Sequence, residues 1–223
     1  MIPICIDIET RPEFADADEL LRIACDSKAN PKRTDATKAE WAAEPDNQVA
    51  AWSRESLSLV GSRICAIALR GDGINHAWVD WREEKPLLSA LDYVLRGLGG
   101  PFQWVGHNIA AFDLPILRIA AMRHNMPDLR RRIPTYRYDK AIHDNMAQAI
   151  QPAGSFAGVS ADALAKAIGL EGKGDLADVD FANLYGMALH GSTEDVLAVE
   201  ATLKARCQRD VDVEWSTFEK MNG

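Results

Sequence analysis

Apolar and polar residues alternate at the start of the chain in a pattern that predicts a β-strand carrying two acids. Isoleucine occupies every second position of residues 2–8, and this period of two is typical of a strand. Residues two apart in a strand point to the same face, so Asp7 and Glu9 would hold their carboxylates side by side. Two like charges this close repel unless a positive charge lies between them, and hard divalent cations prefer carboxylate oxygens. The alternative interpretation is an edge strand with a polar outer face.

The rest of the pattern predicts an α/β fold, a mixed sheet flanked by helices. Residues 11–60 are polar, charged and rich in alanine, which indicates a helical insertion after the first strand within a single domain of residues 1–223. The predicted elements that follow are a hairpin of strands at 63–69 and 74–81, a helix at 84–98, a buried strand at 102–105, and helices at 111–124, 160–168 and 193–221.

Composition and charge narrow the class of protein. The net charge of −8 argues against a protein that binds nucleic acid mainly through non-specific charge. The chain has no 18-residue apolar run, its first residues lack the basic-then-apolar pattern expected of a secretory signal, and its four cysteines lack the spacing of a metal site. These features predict a cytoplasmic protein with reduced cysteines and no membrane partner.

Positive charge is concentrated in residues 118–140, which hold seven lysines and arginines against two aspartates, a local charge of +5. A basic patch beside an acidic site suits a phosphodiester substrate. The alternative interpretation of the run Arg130–Arg132 is a solvated loop.

A second acidic motif joins a predicted strand to a predicted helix. It consists of Gly106-His107-Asn108 followed by Phe112-Asp113. Asn108 suits a turn or a cap, and Asp113 alone could be a first-turn acid favoured by the helix dipole.

Taken together, Asp7-Ile8-Glu9-Thr10 and this second motif resemble the DEDD superfamily of 3′→5′ exonucleases, which has the ribonuclease H-like fold. The resemblance is closest to the stand-alone, often phage-encoded exonucleases related to the proofreading domain of family B DNA polymerases. In those proteins, too, a polar helical insertion follows the first motif. Two more segments are similar to family motifs, Asp144-Asn145-Met146 and the stretch from Ala163 to Lys173, so the resemblance spans nearly the whole chain.

The family supplies its fourth acid from the last helix, as Tyr-x-x-x-Asp or His-x-x-x-x-Asp. Asp210 resembles the tyrosine form, with Arg206 where the tyrosine is expected. Asp195 fits the histidine form, with His190 as the general base. Asp210 is preferred because the rest of the chain resembles the tyrosine subgroup, and both interpretations stay open. Since arginine cannot act as a base, Arg206 would instead orient the scissile phosphate.

The resemblance implies hydrolysis of the terminal phosphodiester at single-stranded DNA 3′ ends, releasing nucleoside monophosphates with two Mg²⁺ or Mn²⁺ ions. The implied metal ligands are Asp7, Glu9, Asp113 and Asp210, and Asn108 and Phe112 would contact the terminal nucleotides. RNA is the alternative substrate. The missing tyrosine also leaves open a function that is not enzymatic. In that alternative, the protein is a nuclease-like module that binds either nucleic acid or a replication protein such as a polymerase, without cutting.

Overall fold

Five strands form one mixed sheet in the computed structural model of the chain, which describes residues 1–13, 17–27, 30–32, 34–150, 158–178 and 181–223. The strands are β1 (Ile2–Pro12), β2 (Ser62–Gly71), β3 (Ile74–Val79), β4 (Phe102–Gly106) and β5 (Ile142–Asp144). Their order across the sheet is β3-β2-β1-β4-β5. β1, β2 and β3 pair antiparallel, whereas β1, β4 and β5 pair parallel. The predicted mixed sheet and hairpin are therefore confirmed, and β5 is a strand that the sequence pattern did not predict.

Helices flank this sheet, which confirms the predicted α/β class. They are α1 (Ala17–Asp26), α2 (Asp35–Ala43), α3 (Pro45–Ser56), α4 (Glu84–Gly97), α5 (Asp113–Arg123), α6 (Pro127–Arg132), α7 (Asn145–Ile150), α8 (Ala161–Ala167), α9 (Phe181–His190) and α10 (Thr193–Asn222), with a 3-10 turn at Gly174–Asp178. Among the described residues, no helix combines the length and the apolar character needed to cross a membrane.

The predicted insertion consists of helices α1, α2 and α3, which lie between β1 and β2. Residues 14–16, 28–29 and 33 of that segment lie outside the described residues. One interpretation of the sequence differs from the structure. The run Arg130–Arg132 forms the last turn of α6 and is not a loop, because Pro127 as the first helical residue starts a short helix there. The last helix, α10, is continuous from Thr193 to Asn222, which agrees with the helix predicted at 193–221.

Alternation along β1 separates two apolar layers. Ile4, Ile6 and Ile8 of β1 pack in one layer with buried leucines of α4 and α5. Cys5 faces the other layer, with Val199, Leu203, Cys207 and Val211 of α10. Because Asp7 and Glu9 follow Cys5 at intervals of two, they share the face that α10 covers.

We expect Leu88→Ala in α4 to lower the free energy of unfolding by about 2–5 kcal/mol, because it leaves a cavity in the first layer. Leu88 is 0% exposed. The matched change Leu197→Ala in α10, where the leucine is 59% exposed, should cost less than about 0.5 kcal/mol. Urea unfolding of both variants measures the difference. Equal costs would contradict the packing described for α4.

Candidate metal centre

Helix α10 lies against β1 so that side chains four apart on the helix meet side chains two apart on the strand. Arg206 donates its Nε–H to Oε1 of Glu9 at 3.0 Å, and the thiol of Cys5 lies 3.7 Å from Oε2 of Glu214. Two residues of a strand span about 6.6 Å and four residues of a helix span about 6 Å, so the two rows stay in step. The row 206–210–214 therefore follows the row 9–7–5.

Asp7, Glu9 and Asp210 meet in the middle of this contact. Each offers one carboxylate oxygen, and these three atoms lie within 4.8 Å of one another. The cross-strand partners of Asp7 and Glu9 on β2 are Ala68 and Ala66. Their small side chains leave the face of the sheet open for α10 to bring Asp210 to the strand.

Two oxygens of this acidic cluster have no donor. Oδ2 of Asp7 and Oδ1 of Asp210 are buried and accept no hydrogen bond from any described residue. Asp210 is only 3% exposed. Buried polar atoms are normally paired, because leaving one unpaired costs free energy. Hard divalent cations prefer carboxylate oxygens, and unpaired acceptors on clustered acids are the partners they take, so this donor set fits Mg²⁺ or Mn²⁺.

Asp113 lies beside the cluster without being part of it. It is the first residue of α5 and 7% exposed, and its Oδ1 accepts the backbone N–H of Ile8 at 3.3 Å. This bond ties the start of α5 to β1, between the two acids of the strand. The structure thus brings Asp113 next to Asp7 and Glu9, whereas the set of three mutually close oxygens is formed with Asp210.

The electrostatics of the metal-free site favour protonated carboxyls. Burial raises the pKa of Asp113 to about 8. Burial also raises the pKa of Glu9 to about 7, against the opposing effect of the Arg206 guanidinium. The pKa of Asp7 is raised well above its usual range by burial and then by the charges of Asp210 and Glu214. The site therefore holds protons near neutral pH, and a bound cation would compete with them.

Lys173 supplies a second positive charge that the sequence pattern did not identify. Its Nζ lies 2.5 Å from Oδ2 of Asp210, so one oxygen of this carboxylate is paired and the other is not. Burial lowers the pKa of Lys173, but the charges of Asp210, Asp7 and Glu214 outweigh burial and raise it overall. Lys173 therefore stays charged and partly offsets the repulsion among the acids.

Two hydrogen bonds hold the backbone around Lys173 in this position. Its backbone N–H donates to Oδ1 of Asp162 at 2.7 Å, and Arg209 of α10 donates to the carbonyl of Gly172 at 2.5 Å. A Cβ on Gly172 would lie 2.0 Å from Oδ1 of Asp162. Only glycine permits this close approach of the backbone to Asp162, so Gly172 is needed for the backbone path that positions Lys173.

Asp144 organises the loop of the second motif. Its carboxylate accepts the backbone N–H groups of Asn108 at 3.0 Å and Ala110 at 3.4 Å, and also those of Met146 and Ala147. Asn108 has φ of 59°, a left-handed conformation that asparagine tolerates better than most residues. Asn108 is therefore a turn residue in the structure, and its contact with a nucleotide stays a prediction.

A cleft of about 280 Å³ opens beside Glu9. It is lined by Ile8, Glu9, Thr10, Ser56, Leu57, Phe112, Tyr185 and Arg206. Phe112 and Arg206, both predicted to contact substrate, thus share one cleft with an acid of the cluster. An aromatic ring and a guanidinium next to a candidate cation site suit a nucleotide.

The alternative last acid, Asp195, lies away from the cluster. Its Oδ2 accepts the backbone N–H of Ser192 at 2.7 Å, and its own N–H donates to Oγ of Ser192, which makes a capping box at the start of α10. Fifteen residues of helix, about 22 Å, separate it from Asp210. His190 is the last residue of α9, and its side chain lies outside the described part of the chain.

The sequence pattern missed Glu214 as well as Lys173. Glu214 is 5% exposed, and the charges of Asp113 and Asp210 add to burial in raising its pKa well above the usual range. Its spacing of four residues from Asp210 was the available signal, because it places both acids on one face of a helix. For Lys173, the available signal was its place at the end of the motif-like stretch from Ala163 to Lys173, to which the sequence analysis gave no role.

Comparisons of the chain with protein-family models, with curated proteins and with solved structures found no match. The resemblance to the exonuclease superfamily therefore depends on the motifs and on the arrangement of this chain's own residues.

We expect the metal-free protein to lose stability as the pH rises from about 5 to 8. The ordinary pKa values are 3.8 for Asp113 and 4.5 for Glu9, against about 8 and about 7 in the folded state. Between these values the folded state keeps protons that the unfolded chain has released. The free energy of unfolding should therefore fall by up to about 1.4 kcal/mol per pH unit for each group.

Urea unfolding in EDTA at half-unit pH intervals measures this dependence. The variant Asp113→Asn, which cannot ionise, should show a shallower fall with pH. A stability that stays level or rises between pH 5 and 8 would contradict the raised pKa values.

Proposed function

We propose that the protein is a metal-dependent 3′→5′ exonuclease that hydrolyses the terminal phosphodiester of single-stranded DNA and releases nucleoside monophosphates. The observation that carries this proposal is the pair of buried, donor-free oxygens on Asp7 and Asp210, in a cluster with Glu9. The five-stranded mixed sheet with flanking helices is compatible with the ribonuclease H-like fold that the sequence resemblance implies.

Asp7, Glu9 and Asp210 would hold one Mg²⁺ or Mn²⁺ ion, and Asp113 would complete a second site with Asp7. Such ions activate water and stabilise the departing 3′ oxygen of a phosphodiester. The carboxylates must be ionised to bind them, so metal binding and the loss of the site's protons are coupled. Lys173 would have to yield Oδ2 of Asp210 if both oxygens of that carboxylate were to serve as ligands.

The cleft beside Glu9 would receive the terminal nucleotide. Phe112 lines it and offers a ring on which a base can stack. Arg206 lines it too, and a guanidinium presents N–H donors in a planar fork that suits a contact with the scissile phosphate. Since an arginine in this place cannot accept a proton, we assign no side chain of α10 as a general base.

A second candidate function is a module that binds single-stranded nucleic acid without cleaving it. The observation that favours it is that Arg206 and Lys173 already pair with Glu9 and Asp210. Two of the three clustered acids are thus neutralised by the chain itself. Adding Mn²⁺ separates the two candidates. The exonuclease should melt at a higher temperature and shorten a strand when Mn²⁺ is present, whereas the binding module should do neither.

We expect Asp7→Asn to lower the rate of DNA shortening by about a hundredfold or more, since even residues that only support a metal ligand cost 10–100-fold. The measurement follows a 5′-labelled single strand in Mn²⁺ on a sequencing gel. Its control is Asp195→Asn, which removes an acid of the helix cap and should leave the rate within about twofold while costing about 1 kcal/mol of stability. A folded Asp7→Asn protein with the wild-type rate would overturn the proposed site.

We expect Lys173→Met to tighten Mn²⁺ binding by roughly tenfold, because the cation no longer competes with an ammonium group for Asp210. Isothermal titration of Mn²⁺ into the metal-free protein measures this affinity. Lys85→Met, at an exposed position of α4, changes the net charge equally and should leave the affinity unchanged. Weaker Mn²⁺ binding in Lys173→Met than in Lys85→Met would show that Lys173 supports the metal site instead of competing with it.

A further inference from the structure

Two tyrosines stand exposed on the segment that leads into β5. Tyr136 is 61% and Tyr138 is 59% exposed. Their ring centroids lie 5.4 Å apart, and the guanidinium of Arg137 lies 5.1 Å from the ring of Tyr138. Large aromatic side chains are usually more buried than this, so the pair has no evident role in the core. We call residues 134–141 the tyrosine loop.

The charges of this region are only partly matched. Arg131 pairs with Asp128, one of the two acids in residues 118–140. In the described part of the chain, neither Arg137 nor Lys140 forms an ion pair, and both side chains are exposed. A chain with a net charge of −8 thus presents unmatched positive charge beside exposed aromatic rings. That combination is the one single-stranded nucleic acids bind, through phosphates and stacked bases.

Two shallow clefts connect the tyrosine loop with the loop of the second motif. Their volumes are about 230 and 210 Å³, and both are lined by Ala110, Arg137 and Ile142. Ala110 lies two residues before Phe112, which lines the cleft beside Glu9. One loop therefore borders the candidate metal centre on one side and the tyrosine loop on the other.

We propose that the tyrosine loop binds the single-stranded DNA segment on the 5′ side of the terminal nucleotide. Bases would stack on Tyr136 and Tyr138, and Arg137 and Lys140 would neutralise phosphates. The inference rests on the proposed function in one respect, that the 3′ end occupies the cleft beside Glu9. A protein partner with an apolar surface fits less well, because it would bury Arg137 and Lys140 without partners.

The test compares strands that can and cannot reach the tyrosine loop. Fluorescence anisotropy measures the Kd of 5′-labelled dT16 and of 5′-labelled dT3. The buffer contains EDTA so that no cleavage occurs. The double variant Tyr136→Ala/Tyr138→Ala should bind dT16 at least tenfold more weakly, given the usual effect of removing a stacking ring, and should bind dT3 as the wild type does. Arg137→Gln/Lys140→Gln should reduce the slope of log Kd against log salt concentration for dT16 by one to two.

Tyr93→Ala is the matched control, since Tyr93 is 80% exposed on α4, and it should leave both affinities within twofold. Unchanged dT16 binding in the double tyrosine variant, or equal losses for dT16 and dT3, would overturn the proposal. The proposal would also be overturned if the double tyrosine variant bound rU16 more weakly but bound dT16 as the wild type does.

This outcome is separable from that of the proposed function. Loss of dT16 affinity in a protein that never shortens DNA in Mn²⁺ would support the tyrosine loop and reject the exonuclease. If the protein shortens dT16 but the tyrosine substitutions do not change its affinity for dT16, the exonuclease is supported and the tyrosine loop is rejected.

Discussion

The structure depends on how a buried group of like charges is made tolerable. Asp7, Glu9 and Asp210 converge at the contact of β1 with α10, and Asp113 and Glu214 lie close enough to raise the pKa of Asp7. Carboxylates removed from water repel one another strongly unless cations or protons compensate them. The chain supplies two cations, Arg206 and Lys173, and raised pKa values supply protons.

These cations and protons do not pair every buried oxygen of the cluster. Lys173 pairs with one oxygen of Asp210, while the other oxygen and one oxygen of Asp7 stay buried and without donors. A site built only for stability would more simply contain apolar side chains, because replacing a buried ionic group by well-packed apolar residues is often neutral or stabilising. Unpaired acceptor atoms on clustered carboxylates are what a divalent cation requires. The proposed function depends on this difference between the charge that the chain provides and the charge that the acids need.

Local pattern was sufficient to predict much of the fold. The alternation of β1, the hairpin, the insertion and the main helices follow from periods of two and about 3.6. β5 was missed because three residues are too short for a period to show. Asp7 and Glu9 were predictable together because two positions in a strand share a face. The resemblance favoured Asp210 over Asp195, and the register of α10 places Asp210 at the cluster and Asp195 in the helix cap with Ser192. Lys173 was noted only as the end of the motif-like stretch from Ala163 to Lys173, and its contact with Asp210 was not predicted because the fold brings the two together from distant segments.

The central claim is that the acids of β1 and α10 jointly bind a divalent cation. Crystals soaked in Mn²⁺ and measured at a wavelength where manganese scatters anomalously test it most directly. The account predicts an anomalous peak in contact with Asp7 and Asp210, at the oxygens that now have no donor. Crystals with full Mn²⁺ access and no peak there, with Lys173 still paired to Asp210, would contradict it.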